Sequence, residues 1–298
     1  MNTLPPSLKT EIARVLSIYN GGAVAITSAH AVGGGCINHA SRVETSAGAW
    51  FLKHNAKAPE RMFLQEAVGL RALQATGAIT VPEPIAASDG SDDFPPYLLT
   101  TWIESAPRAP DYERQLGRRL ARLHRAGRGD AYGFQDDNFL GTTPQPNPRT
   151  QSWVEFFREH RLRHQLDLAA RNGHGGELQT LGARLLDRLP GLIPEPTDPP
   201  TLIHGDLWSG NHLPGPDGHA ALMDPAAYHA HREAELAMTR LFGGFTPDFE
   251  AGYADEWPLD DGSDSRIEIY TLYHLLNHLN LFGTGYLGQC LDLLRRVE

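Results

Sequence analysis

Residues 201–213 read TLIHGDLWSGNHL, and a few residues later the chain runs ALMDPAAY. An apolar run enters a polar loop, and a second apolar run ends on Asp224. Such a pattern is a hairpin that carries side-chain oxygens at fixed spacing. Asp206 can accept a hydrogen bond from a hydroxyl and orient or deprotonate it. Asn211, five residues on, offers an amide oxygen, and Asp224, 13 residues after Asn211, adds a second carboxylate. Hard divalent cations such as Mg²⁺ take carboxylate and amide oxygens and keep part of their water. A solvated turn needs only small polar residues and a glycine, so three such side chains in one hairpin argue for chemistry. His204 ends the entering strand and is expected to fix the loop by hydrogen bonding rather than to react. Trp208 lies between Asp206 and Asn211. It reads either as an aromatic platform beside a substrate hydroxyl or as a lid over the core, and the first is preferred.

The elements around this hairpin fall into two unequal regions. A helix is expected near 7–19, with Ile12, Val15, Leu16 and Tyr19 on one stripe. Strands follow in AVAITSAHAV, at about 37–45 and in AWFLKH, then a helix opened by Pro59 and running to about 75. Two more strands are expected near 84–87 and 97–103, before the Pro-rich connector ESAPRAP at 104–110. Helices then dominate, at 111–126, 152–171, 176–189, 230–243, 264–282 and 286–296, with strands only at 201–204, 212–213 and 220–223. The expectation is an α+β chain with a β-rich region at 1–103, which would bind nucleotide, and a mainly helical region at 104–298, which would carry catalysis and substrate.

Composition narrows the partners. The chain has 298 residues and a net charge of −10, which argues against a nucleic-acid surface but not against one small anionic ligand. No run approaches the roughly 18 apolar residues of a membrane span, and the start has no signal-peptide pattern, so a cytoplasmic location is expected. Cys36 and Cys290 form no CxxC pair. Only Lys9, Lys53 and Lys57 are lysines, against 23 arginines, so a lysine kept inside a strand is informative.

Lys53 is that lysine, in the third strand. Glu66, 13 residues later on the following helix, is its candidate partner. Gly33, Gly34 and Gly35 join two strands about 20 residues before Lys53, where backbone amides can approach phosphate. The literal GxGxxG at 283–288 follows a helix and has no βαβ unit, so it reads as an interhelical turn. There is no Walker A lysine and no HExxH. On the helix at 264–282, Tyr270, His274, Asn277 and His278 share a face that either lines a polyol-binding cleft or is solvated. Glu233 and Glu235 read as braces for the loop or as a helix cap.

The order Asp206, Asn211, Asp224 after a strand lysine and helix glutamate resembles the protein-kinase catalytic machinery. More narrowly, HGDLWSGN, DPAAY, HREAELAM and LFGGF resemble the fructosamine kinase (ketosamine-3-kinase) family of the aminoglycoside phosphotransferase-like, protein-kinase-like fold. The resemblance extends over nearly the whole chain, through GGGCIN, FLKHN, MFLQEAVGLRAL, WVEFFREHRLRHQLDL and LLNHLNLFG. It implies a bilobal fold, ATP and Mg²⁺, and a ketosamine, small or protein-bound, phosphorylated on its 3-hydroxyl. Asp206 is implied as base, Asn211 and Asp224 as metal ligands, and Lys53 with Glu66 as the nucleotide clamp. The segment 98–102, with Thr100 and Trp102, is implied as the adenine hinge. Trp208 and His278 are implied near the ketosamine, and Cys36 as a redox-sensitive thiol. No membrane or nucleic-acid partner is implied, and a monomer or weak homodimer is expected. The rival readings are a kinase of another small alcohol (an aminoglycoside, choline or homoserine) and a nucleotide-binding pseudokinase.

Overall fold

The computed structural model describes residues 4–33 and 38–297, so the expectations for Gly34, Gly35 and Cys36 lie outside the described residues. Helix α1 (Pro6–Asn20) is followed by strands β1 (Ile26–Ala31), β2 (His39–Thr45) and β3 (Gly48–His54). Helix α2 (Met62–Ala75), β4 (Pro84–Ser88) and β5 (Tyr97–Thr101) complete the first region. The five strands form one antiparallel sheet in the order β1-β2-β3-β5-β4.

Strand alternation decides what this sheet presents. Trp50 and Leu52 of β3, with Tyr97 and Leu99 of β5, pack against Leu8, Ile12 and Leu16 of α1. The intervening Phe51 and Lys53 therefore lie on the other face, where they line a cleft. Tyr19, expected on the apolar stripe of α1, is half exposed and meets Trp50 edge-on at 5.7 Å. Helix α2 begins at Met62 rather than at Pro59, because residues 59–62 form a turn in which Met62 N–H donates to Pro59 O. Arg61, at φ 64°, occupies the left-handed region just before the first helical turn.

The rest is mainly helical. Helix α3 (Tyr112–Ala126) leads to a short hairpin, β6 (Asn138–Leu140) and β7 (Thr143–Gln145), which the sequence pattern does not reveal. One continuous helical rod follows: α4 (Trp153–Phe157), a π-helical stretch at Arg158–Arg163, and α5 (His164–Arg171). After α6 (Glu177–Leu192) come β8 (Thr201–Ile203), β9 (His212–Pro214), β10 (Ala220–Leu222) and β11 (Tyr228–Ala230). β9 pairs with β10, and β11 pairs back onto β8. The expected helix at 230–243 is thus α7 (Glu233–Leu241), preceded by a strand. The chain closes with α8 (Pro247–Glu256), α9 (Ser263–Phe282) and α10 (Leu287–Val297). The GxGxxG decoy is a single 3₁₀ turn, Thr284–Tyr286, between the last two helices, as its context requires.

One large core joins α2 to the helical region through Phe63, Leu70 and Leu73. Among the described residues no helix is long and apolar enough to cross a membrane. Helix α8 was not expected, because PDFEAGYADE buries only Phe249, Gly252 and Tyr253. Its place is fixed by two glycines. A Cβ on Gly117 of α3 would lie 2.0 Å from the Phe249 carbonyl oxygen, and one on Gly252 would lie 2.1 Å from that of Arg114. The two helices cross backbone against backbone. Gly117→Ala is therefore expected to destabilise the protein by about 1–3 kcal/mol through overpacking, read from urea unfolding. A loss below about 0.5 kcal/mol, typical of surface changes, would show that the helices do not meet this closely.

Candidate active site

The hairpin of the sequence analysis is clamped from three directions. From behind, the buried Glu235 carboxylate of α7 accepts the backbone N–H of His204 and, at 3.1 Å, that of Gly205. From the side, the His204 ring is fully buried. Its Nε2 donates to the Met223 carbonyl at 2.8 Å, and its Nδ1 accepts the Asp206 N–H at 3.3 Å. From the segment after Asp224, Ala226 N–H donates to the His204 carbonyl at 2.9 Å. Burial lowers the pKa of His204, and a neutral ring is what this donor–acceptor pattern requires.

Gly205 has no substitute in this geometry. Its φ is +81°, and a Cβ there would stand 2.2 Å from the Ala226 carbonyl oxygen. The loop itself is tied by Asn211, whose Nδ2 donates to the Asp206 carbonyl at 2.8 Å and to its Oδ2 at 3.2 Å. Both bonds use the amide nitrogen, so Oδ1 is the atom left for a cation. Met223 N–H donates to Asn211 O at 3.0 Å, which places Asp224 beside the loop. Asp224 adopts φ +59°, a conformation that aspartate tolerates better than bulky residues.

Lys53 reaches this group from the sheet. Its Nζ lies 2.8 Å from Glu66 Oε1 and 2.6 Å from Asp224 Oδ1, and the side chain is only 8% exposed. Burial opposes the charge, but the carboxylates of Asp224 and Glu66 outweigh it and raise the Lys53 pKa. Burial and the nearby Asp224 charge hold the Asp206 carboxyl well above its ordinary range. These residues line one cleft of about 780 Å³, together with Gly33, Trp208 and His278. A contiguous apolar recess of about 100 Å³ is lined by Phe51, Leu98, Thr100, Trp102 and Met223. Trp102 Nε1 is a buried donor with no acceptor among the described residues, and Arg42 stacks on its ring at 4.7 Å.

Some expectations need correction. Tyr270 and His274 do not line the cleft, nor are they solvated. Tyr270 is buried, accepting from Trp153 Nε1 at 2.9 Å, and His274 is 4% exposed. Helical periodicity groups them with Asn277 and His278, but α9 is enclosed along most of its length, and only its C-terminal end opens on the cleft. Other supporting residues carry no sequence signal. Arg161, in the π-helical stretch, is fully buried with no carboxylate partner among the described residues. Its guanidinium stacks on Tyr228 at 4.0 Å and donates to Asn147 Oδ1 at 2.6 Å. Asn147 in turn donates to Asn138 Oδ1, and Asn138 donates to the Ala227 carbonyl, just beyond Asp224.

A strand lysine paired with a helix carboxylate, facing an Asp-Asn-Asp hairpin across a cleft, defines the protein-kinase-like phosphotransferase class. Within that class the chain belongs to the fructosamine kinase family, whose model, "Fructosamine kinase", matches residues 8–297. It is 41% identical to a probable ketoamine kinase of Synechocystis sp., over 96% of this chain and 95% of that one. It is 38% identical to a chloroplastic protein-ribulosamine 3-kinase of Oryza sativa subsp. indica, over 93% of this chain and 80% of that one. A solved structure of a candidate fructosamine-3-kinase from Haemophilus somnus superposes with a TM-score of 0.86 at 26% identity, covering 97% of this chain and 99% of that one. An aminoglycoside phosphotransferase, at 16% identity and TM-score 0.64 over 95% of this chain and 98% of that one, shares the fold alone.

Glu235→Gln tests the clamp behind the loop. The change puts an NH₂ donor where two backbone donors need acceptors. It is expected to cost about 1–3 kcal/mol of stability, the penalty of an unsatisfied buried donor, in urea unfolding. Unfolding at the wild-type midpoint would remove Glu235 from this role.

Proposed function

We propose that the protein transfers the γ-phosphoryl group of ATP, with Mg²⁺, to the 3-hydroxyl of a ketosamine, a sugar condensed onto an amine and rearranged. The observation that carries this reading is the meeting of Lys53, Glu66, Asp206, Asn211 and Asp224 in one cleft of a fructosamine kinase family member. Relatives named as ribulosamine and ketoamine kinases support the choice of acceptor.

Asp206 accepts the proton of the 3-hydroxyl as the new O–P bond forms and the bond to the departing ADP breaks. Lys53, held cationic between Glu66 and Asp224, contacts the α- and β-phosphates. Thr100 and Trp102 border the recess that suits adenine, and Gly33 lies at the phosphate end of the cleft. Asn211 and Asp224 are the residues that would hold Mg²⁺. The fit is chemical: an amide oxygen and a carboxylate suit a hard cation, and Glu66, Asp206 and Asp224 set three carboxylates against one ammonium. Mg²⁺ ordinarily takes only one or two protein carboxylates and keeps several waters. When bound, Mg²⁺ supplies charge neutralisation on the phosphates. The 3-phosphate then destabilises the adduct, and the amine is freed.

Asp206→Ala is expected to lower kcat by at least about 10³-fold, the upper half of the usual range for an acid–base group, because the hydroxyl also loses its orienting partner. Nucleotide binding, measured by calorimetry, should remain close to that of the wild type. Near-normal turnover would sink the assignment of Asp206. With ATP and a panel of alcohols, ribulosamine, erythrulosamine and fructosamine should be phosphorylated in preference to choline, homoserine or an aminoglycoside. Preference for any of the last three would defeat the acceptor assignment, and nucleotide binding without transfer to any alcohol would revive the pseudokinase.

A further inference from the structure

The acceptor end of the cleft carries a feature that phosphoryl transfer itself does not use. His278 is the hub of an aromatic collar: its ring lies 4.7 Å from Phe242, 5.5 Å from Phe282 and 5.2 Å from Tyr286. Phe242 and Phe282 are 40% and 51% exposed. Both line the cleft that contains Asp206, and Trp208 stands at the same end of the catalytic loop. The collar is built. Gly244, at φ +91°, brings the loop after Phe242 so close to the catalytic loop that a Cβ would meet Ser209 Cβ at 2.5 Å. His278 Nδ1–H donates to the His274 carbonyl at 2.8 Å, which leaves Nε2 as a lone-pair acceptor within the ring cluster.

The charge lining the cleft matches the collar. Among the described residues its only lysine or arginine is Lys53, already engaged by Glu66 and Asp224, while Asp206 lies beside Trp208 on the same loop. Aromatic faces and carboxylates together attract a cation with an apolar stem. They do not suit an anionic group. We propose that the collar of Phe242, Phe282, Tyr286 and His278 binds the amine half of the acceptor: the protonated secondary amine of the ketosamine and the methylene stem that follows it. This rests on the ketosamine reading above. It assigns specificity for the long-chain amine to named residues outside the catalytic loop, with the sugar held at Asp206 and the stem passing out between the rings.

The test compares ribulosamine borne on the side chain of Nα-acetyl-lysine with ribulosamine borne on methylamine, in the full-length protein with ATP and Mg²⁺. The wild type should show the lower KM for the lysine-borne adduct. In Phe242→Ala/Phe282→Ala the ratio of the lysine-borne KM to the methylamine-borne KM should rise about tenfold, the scale of about two stem methylenes no longer buried, with the effect in KM rather than kcat; the cation–π contact of the amine, common to both adducts, cancels in the ratio. Ile18→Ala, an exposed apolar side chain on α1 outside the cleft lining, should leave the ratio as in the wild type. Equal wild-type KM values, or a double variant that leaves both KM values as in the wild type, would overturn the collar and leave the ketosamine reading standing; a double variant that raises both alike would overturn its hold on the stem. A wild type that phosphorylates neither adduct would overturn both.

Discussion

A single buried ammonium joins the two regions of this molecule. Lys53 comes from β3, Glu66 from α2 and Asp224 from the segment after β10, and the three meet within 2.8 Å contacts. Desolvating such charges costs several kcal/mol per ion, so they stay ionised only if geometry and partners compensate. The ammonium has two carboxylate partners, and Asp206 adds a third carboxylate nearby. The cleft is thus left with excess negative charge. Burial and that excess together raise the Asp206 carboxyl.

The catalytic hairpin holds its shape because buried polar groups behind it are satisfied in series. Glu235 accepts two loop amides, His204 bridges Asp206 N–H and the Met223 carbonyl, and Gly205 lets the loop approach Ala226. A second chain, from Arg161 through Asn147 and Asn138 to the Ala227 carbonyl, steadies the segment beyond Asp224. Preorganisation of this kind matters where catalysis consists mainly of positioning and charge stabilisation. The loop needs no reorganisation to present Asp206 and Asn211 together.

The parts of the site that could be read from the chain were those encoded by spacing. Thirteen residues separate Lys53 from Glu66, and Asp206, Asn211 and Asp224 sit on one hairpin, so local geometry alone brings them near each other. The sheet was legible for a similar reason: alternation along β3 already separates Trp50 and Leu52 from Phe51 and Lys53. What stayed hidden depends on long-range contact. Helix α8 has a weak apolar stripe and exists because Gly117 and Gly252 let it press on α3. The β6–β7 hairpin is three residues a side and is ordered by Asn138 and Gln145 bonding across to residues 226 and 227. Tyr270 and His274 were misread because helical period gives direction, not what covers the face.

The lysine at position 53 shows why residue type, and not merely charge, follows from the packing. This chain otherwise uses arginine, even for buried cations. Arg161 lies over Tyr228, and Arg232 over Trp257 at 4.5 Å while bonded to Asp198. Planar guanidinium groups stack on rings and spread their donors toward carbonyls, as both of these do. Between Glu66 and Asp224 the contacts are of another kind. Two carboxylates converge there on one point, at 2.8 and 2.6 Å. A compact ammonium with three rotatable donors meets both and retains one N–H, whereas a rigid fork would match one carboxylate and push the other away. In a composition that favours arginine, retention of lysine at this one buried strand position is explained by the geometry of a shared point charge.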